Sequence, residues 1–491
     1  MSDSATGLYV NGQWEASSAQ VLVRDKFTGA ELRSLAGAKA ADVDRAAAAA
    51  RAAAATPLPP RQRAAILEHV AVSLARDGDA LARLIVQESG KPFKDARAEV
   101  DRAVETVRLS GHAALALHGE TVPLDASPGG EHRVGLYLRV PVGVVAAITP
   151  FNFPLNLVCH KVAPAIAAGN AVVLKPATTT PLSAVALVER FAAAGLPAGW
   201  LNLVVGSGAE VGDALVRNPH VNFITFTGSP PVGFAIKAAS GQKRVTLELG
   251  NNSGNIVHQD ANLPAAAQLL ARRAFAQAGQ SCISVQRIYV HAPVFDRFQH
   301  LIAEATAGLV VGNPLDPDTD VGPLISEAEA ERVEAWVQEA LAGGAQLVAG
   351  GTRAGAMMAP TLLTGTAPTM RVVSDEVFGP VAVLMPYARF EEAVAMVNQS
   401  EYGLQAGVFT QDLHRAWHAV RHLSVGGVVI NDTSSYRADL MPYGGVGKSG
   451  QGREGPRFAV EEMTELRMAV FNLDPAALAA AKTSDEGEGT K

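Results

Sequence analysis

Two cysteines occur in the chain, Cys159 and Cys282, and they sit in very different company. Cys282 ends the run Gly279-Gln-Ser-Cys282, where the glycine lets the backbone come close to a ligand. An ordinary thiol, with a pKa of about 8.5, is only a few per cent ionised at neutral pH, so a nucleophilic cysteine needs local help. Taken alone, Cys282 reads equally well as an inert buried thiol. Glu248 interrupts the apolar run Arg244-Val-Thr-Leu-Glu-Leu-Gly250, and burial there would raise its pKa toward that of a general base. A strand-end ion pair is the competing reading. Asn152, in Thr149-Pro-Phe-Asn-Phe-Pro154, follows a strand signal and carries an amide able to donate to a developing oxyanion; as an isolated residue it is also an ordinary turn former.

Two further features suit a phosphorylated ligand. Gly228-Ser-Pro-Pro-Val-Gly233 follows a strand and opens a helix, whose free amides attract a pyrophosphate, although two glycines five apart are common by chance. Lys175, in Lys175-Pro-Ala177, closes another strand, where it could reach a ribose or simply stay solvated. Cys159 falls in an apolar helical run and reads as core packing.

The elements needed to place these residues alternate. Val142 to Thr149, Ala171 to Lys175, Leu201 to Val205, Val221 to Thr225 and Arg244 to Leu249 have strand character. Leu157 to Ala168, Leu182 to Ala194, Ala209 to Arg217 and Val232 to Ala239 have helical spacing. Such repetition predicts a doubly wound α/β fold whose ligands lie at the carboxyl ends of the strands. Helices are expected from Asp42 to Ala55 and from Arg61 to Arg76, a hairpin over Glu120 to Val140 turning at Gly129-Gly130, and a second α/β stretch from Leu263 to about Ile430.

A length of 491 residues predicts about three substructures. Hydrophobic types make up 48% and charged types 18%, which excludes wholesale disorder. The net charge of −7, without a basic run, argues against nucleic acid or an acidic membrane surface as a partner. No membrane span is expected, because Pro141, Pro150, Asn152, Pro154 and Asn156 break the longest apolar stretch. The absence of an export-signal pattern and the two lone cysteines make the cytoplasm the default compartment. No metal site is expected.

Asn152, Lys175, the Gly228 loop, Glu248, Cys282, Glu376-Val-Phe-Gly-Pro380 and Pro442-Tyr-Gly-Gly445 stand in the order and spacing of the aldehyde dehydrogenase superfamily, and the chain resembles that family from Asn11-Gly-Gln-Trp14 to Val470. The resemblance implies a Rossmann-like cofactor domain (1–119 and 142–250), an α/β catalytic domain (251–455), an oligomerisation arm (120–141 and 456–473) and a flexible tail (474–491). It implies Cys282 as nucleophile, Glu248 as base, and Asn152 with the Cys282 amide as oxyanion hole. It also implies NAD(P), its riboses held by Lys175 and Glu376, its pyrophosphate by Gly228, Ser229 and Gly233, and its nicotinamide side near Phe378. A homodimer or homotetramer is the implied assembly.

Three departures from the family pattern matter. Leu249-Gly250-Asn251-Asn252 stands where Leu-Gly-Gly-Lys is usual; Asn tolerates left-handed backbone angles, so Asn251 can replace the glycine, while any charge role of the lost Lys is absent. Pro230-Pro231 removes two amide donors from the phosphate loop. Thr178 occupies the position where NAD-preferring relatives often carry Glu; a hydroxyl beside Lys175 implies that NADP is accepted.

The segment Asn431 to Pro442 resembles the branch acting on lactaldehyde, phosphonoacetaldehyde and similar short polar aldehydes. Arg437 there would bind an anionic group on the substrate, with Arg108 and His160 completing the site, unless Arg437 pairs with Asp439 or a neighbouring subunit. Ser281, where the phosphonate type tends to carry Arg, favours a hydroxyl or a single anionic charge. The rival expectations are a broad-specificity enzyme for neutral aldehydes, a coenzyme-A-acylating enzyme, which Glu248 argues against, and a catalytically silent protein on the same fold.

Overall fold

A computed structural model describes residues 6–475. Its larger sheet has eight strands, in the order Gln13–Trp14, Leu8–Val10, Leu201–Val204, Ala171–Lys175, Val144–Ile148, Phe223–Thr227, Arg244–Glu248 and Gly450–Gln451. The five central strands run parallel, and short antiparallel strands close both edges. In chain order the central five read 3-2-1-4-5, so the direction of winding reverses between Val144–Ile148 and Phe223–Thr227. A crevice opens at the carboxyl ends of strands where winding reverses in this way.

These strands contain β-branched and other apolar residues on both faces because helices cover both sides; Val144–Ile148, Ala171–Lys175 and Phe223–Thr227 are buried throughout. The second sheet has seven strands, six of them parallel, built from Ser253–Val257, Val285–His291, Thr361–Thr364, Val381–Tyr387, Gln405–Phe409 and Gly427–Ile430, with Gln346–Ala349 antiparallel at one edge.

The segment expected as a hairpin is a three-stranded sheet. Arg133–Pro141 pairs with Glu120–Val122 on one side and, over its full length, with Thr464–Asn472 on the other. The third strand comes from more than three hundred residues away, so local turn signals alone do not reveal it.

Expected and observed elements differ mainly at two places. Val221 is buried in a turn, and the strand begins two residues later at Phe223, after Asn222 accepts the Val144 amide with its side chain. The stretch from Ala209 to Arg217 starts as a π-helical turn, Gly208–Gly212, before the short helix Asp213–Arg217. Among the described residues, no helix is long and apolar enough to cross a membrane. The tail from 476 onward lies outside the described residues.

Candidate active site

Cys282 is presented by a loop with an unusual backbone. After the helix Leu263–Phe275, the residues Gln277, Ala278 and Gly279 take φ values of 54°, 54° and 70°, all left-handed. The two non-glycine residues cost about 1–3 kcal/mol each in such a conformation, so the surroundings must hold them there. Gln280 does this by accepting the Ile325 amide (2.9 Å), while its own carbonyl accepts from Asn152 Nδ2 (3.0 Å). Gly279 has no alternative residue, because a Cβ would collide with the Gly379 carbonyl oxygen.

Asn152 is therefore tied to the loop that carries Cys282. One Nδ2 hydrogen is spent on Gln280 and the other remains, while Oδ1 has no partner among the described residues. The Cys282 amide has no acceptor among the described residues. Burial pushes the Cys282 thiol up to about 12, and a hydrogen bond with Tyr443 Oη at 3.0 Å and the nearby Arg437 cation work against that.

Glu248 ends its strand as expected and is buried, but among the described residues it has no ion pair and both carboxyl oxygens lack a partner. Burial, reinforced by the charge on Glu454, raises its pKa well above the usual carboxylate range. Glu454 is held at about 2: burial opposes its charge, but Lys161 and Arg437 more than offset that. Of these two interacting carboxyls, Glu454 carries the charge and Glu248 the proton. This is the state in which a carboxyl is a strong base once it ionises.

Arg437 belongs to a buried ionic cluster. Its Nη2 donates to Glu454 Oε2 (3.1 Å), its guanidinium lies 3.6 Å from the Tyr443 ring centroid, and its Nε has no partner among the described residues. The partner is Glu454 and not Asp439. Asp439 is engaged instead by Arg102 (2.8 Å) and by His160 Nε2 (2.8 Å). Burial works to raise the Asp439 pKa, yet the His160 and Arg102 hydrogen bonds hold it far below the carboxylate range. His160 is buried, and burial together with Arg437 lowers its pKa; as a neutral ring it donates from Nε2 to Asp439 and leaves Nδ1 bare.

Arg108 does not reach this cluster. It is on the helix Phe93–Ala116 but faces solvent, 3.4 Å from Glu68. Arg102 lies six residues earlier, about 120° around the helix, and is the arginine that points inward. Arg102, Lys161 and Arg437 face Glu454 and Asp439, so the cluster carries one positive charge in excess while Glu248 and His160 are neutral.

A cleft of about 960 Å³ runs along the carboxyl ends of the parallel strands at the winding reversal and ends at Cys282. Its walls include Lys175, Gly228, Ser229, Glu376 and Phe378. Burial lowers the Lys175 pKa to about 8 and raises that of Glu376 to about 7. Glu376 is positioned by the Asn251 amide (2.7 Å), and Phe378, with φ 48°, packs edge-on against Phe151.

Two positions in this region behave differently from the glycine-rich pattern of the family. Asn251 is not left-handed; its backbone amide holds Glu376 and its side chain bonds Ser253. Gly233 faces Leu249, where a Cβ would collide, so it lets the helix Pro230–Ala239 lie on the sheet and does not line the cleft. Thr178 is half-buried and is not among the wall residues.

The cleft suits a nicotinamide dinucleotide in volume and chemistry. Among the described residues, Lys175 Nζ has only a 3.3 Å contact with the Pro176 carbonyl, Ser229 makes no capping bond, and the Thr149 and Thr227 hydroxyls, at the ends of the two strands flanking the reversal, are buried without partners.

Lys161, Arg102 and Glu454 were not singled out from the sequence, and Tyr443 stood only inside the Pro442-Tyr-Gly-Gly445 motif without a role. Lys161 gave the same signal as Glu248, a charge inside an apolar run, and Glu454 is a carboxylate in the glycine-flanked turn Gly452-Arg-Glu-Gly455. Cys159 is fully buried, as expected of a core thiol.

The chain is 49% identical over 467 residues to 3-sulfolactaldehyde dehydrogenase from Priestia aryabhattai, covering 95% of this chain and 98% of that protein. Aldehyde dehydrogenase 21 from Physcomitrella patens, solved with the reaction product succinate, superposes with a TM-score of 0.94 at 38% identity, over 97% of this chain and all of that one. NADP-dependent glyceraldehyde-3-phosphate dehydrogenase from Bacillus halodurans, solved with NADP, gives 0.93 at 37% identity, over 95% and 99%. The sequence pattern of the Aldehyde dehydrogenase family matches residues 14–469, and the chain belongs to that family.

Proposed function

We propose that the protein oxidises a short polar aldehyde with a single anionic group at its far end, and that NADP serves as hydride acceptor in preference to NAD. One observation carries this reading: Cys282, the Asn152 amide and an unpartnered Glu248 carboxyl converge beside a cluster with one positive charge in excess.

Cys282 Sγ adds to the aldehyde carbon, and the oxygen that gains negative charge meets the free Asn152 hydrogen and the Cys282 amide. Collapse of the adduct releases a hydride and leaves an acyl group on the sulfur as a thioester. A bound nicotinamide supplies the hydride acceptor. Lys175 and Glu376 would hold its riboses, Gly228 and Ser229 its pyrophosphate, and Phe378 its nicotinamide side. Glu248 then takes a proton from water, whose oxygen displaces Cys282 and yields the carboxylate.

Support for the substrate class comes from the charge balance of the Arg437 cluster and from the likeness to a 3-sulfolactaldehyde dehydrogenase. Support for NADP comes from Thr178 in place of an acidic residue and from the likeness to an NADP-bound relative. The assembly is proposed to be a dimer or tetramer joined through the three-stranded sheet, where Leu466, Met468, Val470 and Phe471 are exposed.

The test is kcat/KM for 3-sulfolactaldehyde, succinic semialdehyde, lactaldehyde, propanal and benzaldehyde with each cofactor. A singly anionic aldehyde is expected to exceed propanal by about tenfold or more, with NADP preferred. Equal values for propanal or benzaldehyde would make the enzyme a broad-specificity one, and strong discrimination against NADP would reject the cofactor assignment.

A further inference from the structure

Tyr443 places its hydroxyl 3.0 Å from the Cys282 sulfur, and that sulfur is its sole polar partner among the described side chains. The ring is 2% exposed and has no freedom to turn away. Its backbone amide donates to the Glu454 carbonyl (3.1 Å), and the Glu454 amide donates back to the Tyr443 carbonyl (2.7 Å). The Glu454 carboxylate in turn fixes Arg437, whose guanidinium lies over the Tyr443 ring face at 3.6 Å. One residue, Glu454, therefore positions both the phenol, through its backbone, and the cation stacked on it, through its carboxylate. A cation over the ring is attracted to its π-electrons and makes the phenolic O–H a stronger donor.

We propose that Tyr443 is a catalytic residue that donates a hydrogen bond to the Cys282 thiolate, with Arg437 as the positioning residue that strengthens this donor through the ring. This rests on the assignment of Cys282 as nucleophile. When the thiol ionises, its proton leaves to solvent, and the thiolate accepts the Tyr443 O–H. As the S–C bond to the aldehyde forms, the sulfur loses its charge and the hydrogen bond weakens, so no proton need be transferred from tyrosine. The groups acting on the thiol are Tyr443 and Arg437, which favour the anion, and Glu376 and Glu248, which oppose it; burial of the sulfur makes the donor necessary. The groups acting on the phenol are Cys282, Arg437 and Glu248.

The experiment is the rate of Cys282 alkylation by iodoacetamide as a function of pH, located by peptide mass mapping, on the full-length protein without substrate. Tyr443→Phe keeps the ring and the stacked guanidinium and removes only the hydroxyl. Its alkylation midpoint is expected to rise by about one pH unit, and its rate at neutral pH to fall about tenfold. Site-specific replacement of Tyr443 by 3,5-difluorotyrosine keeps the hydroxyl and makes it a stronger donor, so the midpoint should fall. An unchanged midpoint in both variants would overturn the proposal, as would a fall in Tyr443→Phe. If Tyr443→Phe does not fold, the fluorinated protein alone decides, since a purely structural tyrosine would not move the thiol's midpoint. Failure of the nucleophile assignment shows separately, as turnover surviving in Cys282→Ala.

Discussion

Glu248→Gln separates the two halves of the proposed reaction. Glu248 is buried, neither oxygen has a partner among the described residues, and burial, reinforced by the Glu454 charge, raises its pKa well above the carboxylate range and so favours the protonated form. The substitution therefore replaces one neutral, near-isosteric group by another and removes no ion pair. The amide adds one unpaired polar hydrogen, which limits the change in stability to about 1 kcal/mol. The chemical loss is much larger. Proton transfer by a positioned base contributes roughly 10²–10⁴-fold, so thioester hydrolysis should slow by that factor. Hydride release precedes hydrolysis and needs only Cys282 and its donors. Stopped-flow absorbance at 340 nm is expected to show a burst of reduced cofactor of about one equivalent per active site, followed by a steady rate roughly 10²–10⁴-fold below the parent's. A steady rate equal to the parent's would refute the base assignment. A lost burst with the fold intact by circular dichroism would place Glu248 before hydride transfer.

In Arg437→Leu, KM for a singly anionic aldehyde is expected to rise about tenfold or more, the loss of a charge-assisted contact of roughly 1.5–3 kcal/mol, while KM for propanal stays unchanged. A fall in kcat shared by both substrates would report the support Arg437 gives Tyr443; equal changes in KM would reject an anion site. Lys175 is charged below its pKa of about 8 and neutral above it, so the ratio of KM for NADP to KM for NAD should climb as pH rises through 8. Lys175→Met should make that ratio high and independent of pH, and a flat ratio in the parent would reject a phosphate role for Lys175.

The parallel strands were legible because burial on both faces writes a continuous apolar run, and Ala171–Lys175 has the same bounds in sequence and structure. Cys282, Glu248 and Asn152 were legible for a related reason: each stands at a strand end or a turn where its residue type has little packing purpose. The ionic cluster was not. Lys161, Arg102, Arg437, Asp439 and Glu454 come from three separate stretches of chain, and which cation meets which carboxylate depends on how helices turn against each other. Arg108 shows the cost of that: a helix places residues six apart on different faces, and flanking the site in sequence does not mean pointing into it. The third arm strand, Thr464–Asn472, was joined to the arm by the family resemblance alone, since pairing between distant segments leaves no local mark.

The central claim is that Cys282 carries the acyl group between hydride release and hydrolysis. The direct measurement is peptide mass analysis of Glu248→Gln, acid-quenched within the burst after mixing with NADP and succinic semialdehyde. The account predicts a succinyl adduct on the peptide containing Cys282, with amplitude matching the burst. An adduct on Cys159, or no adduct despite a full burst, would contradict it.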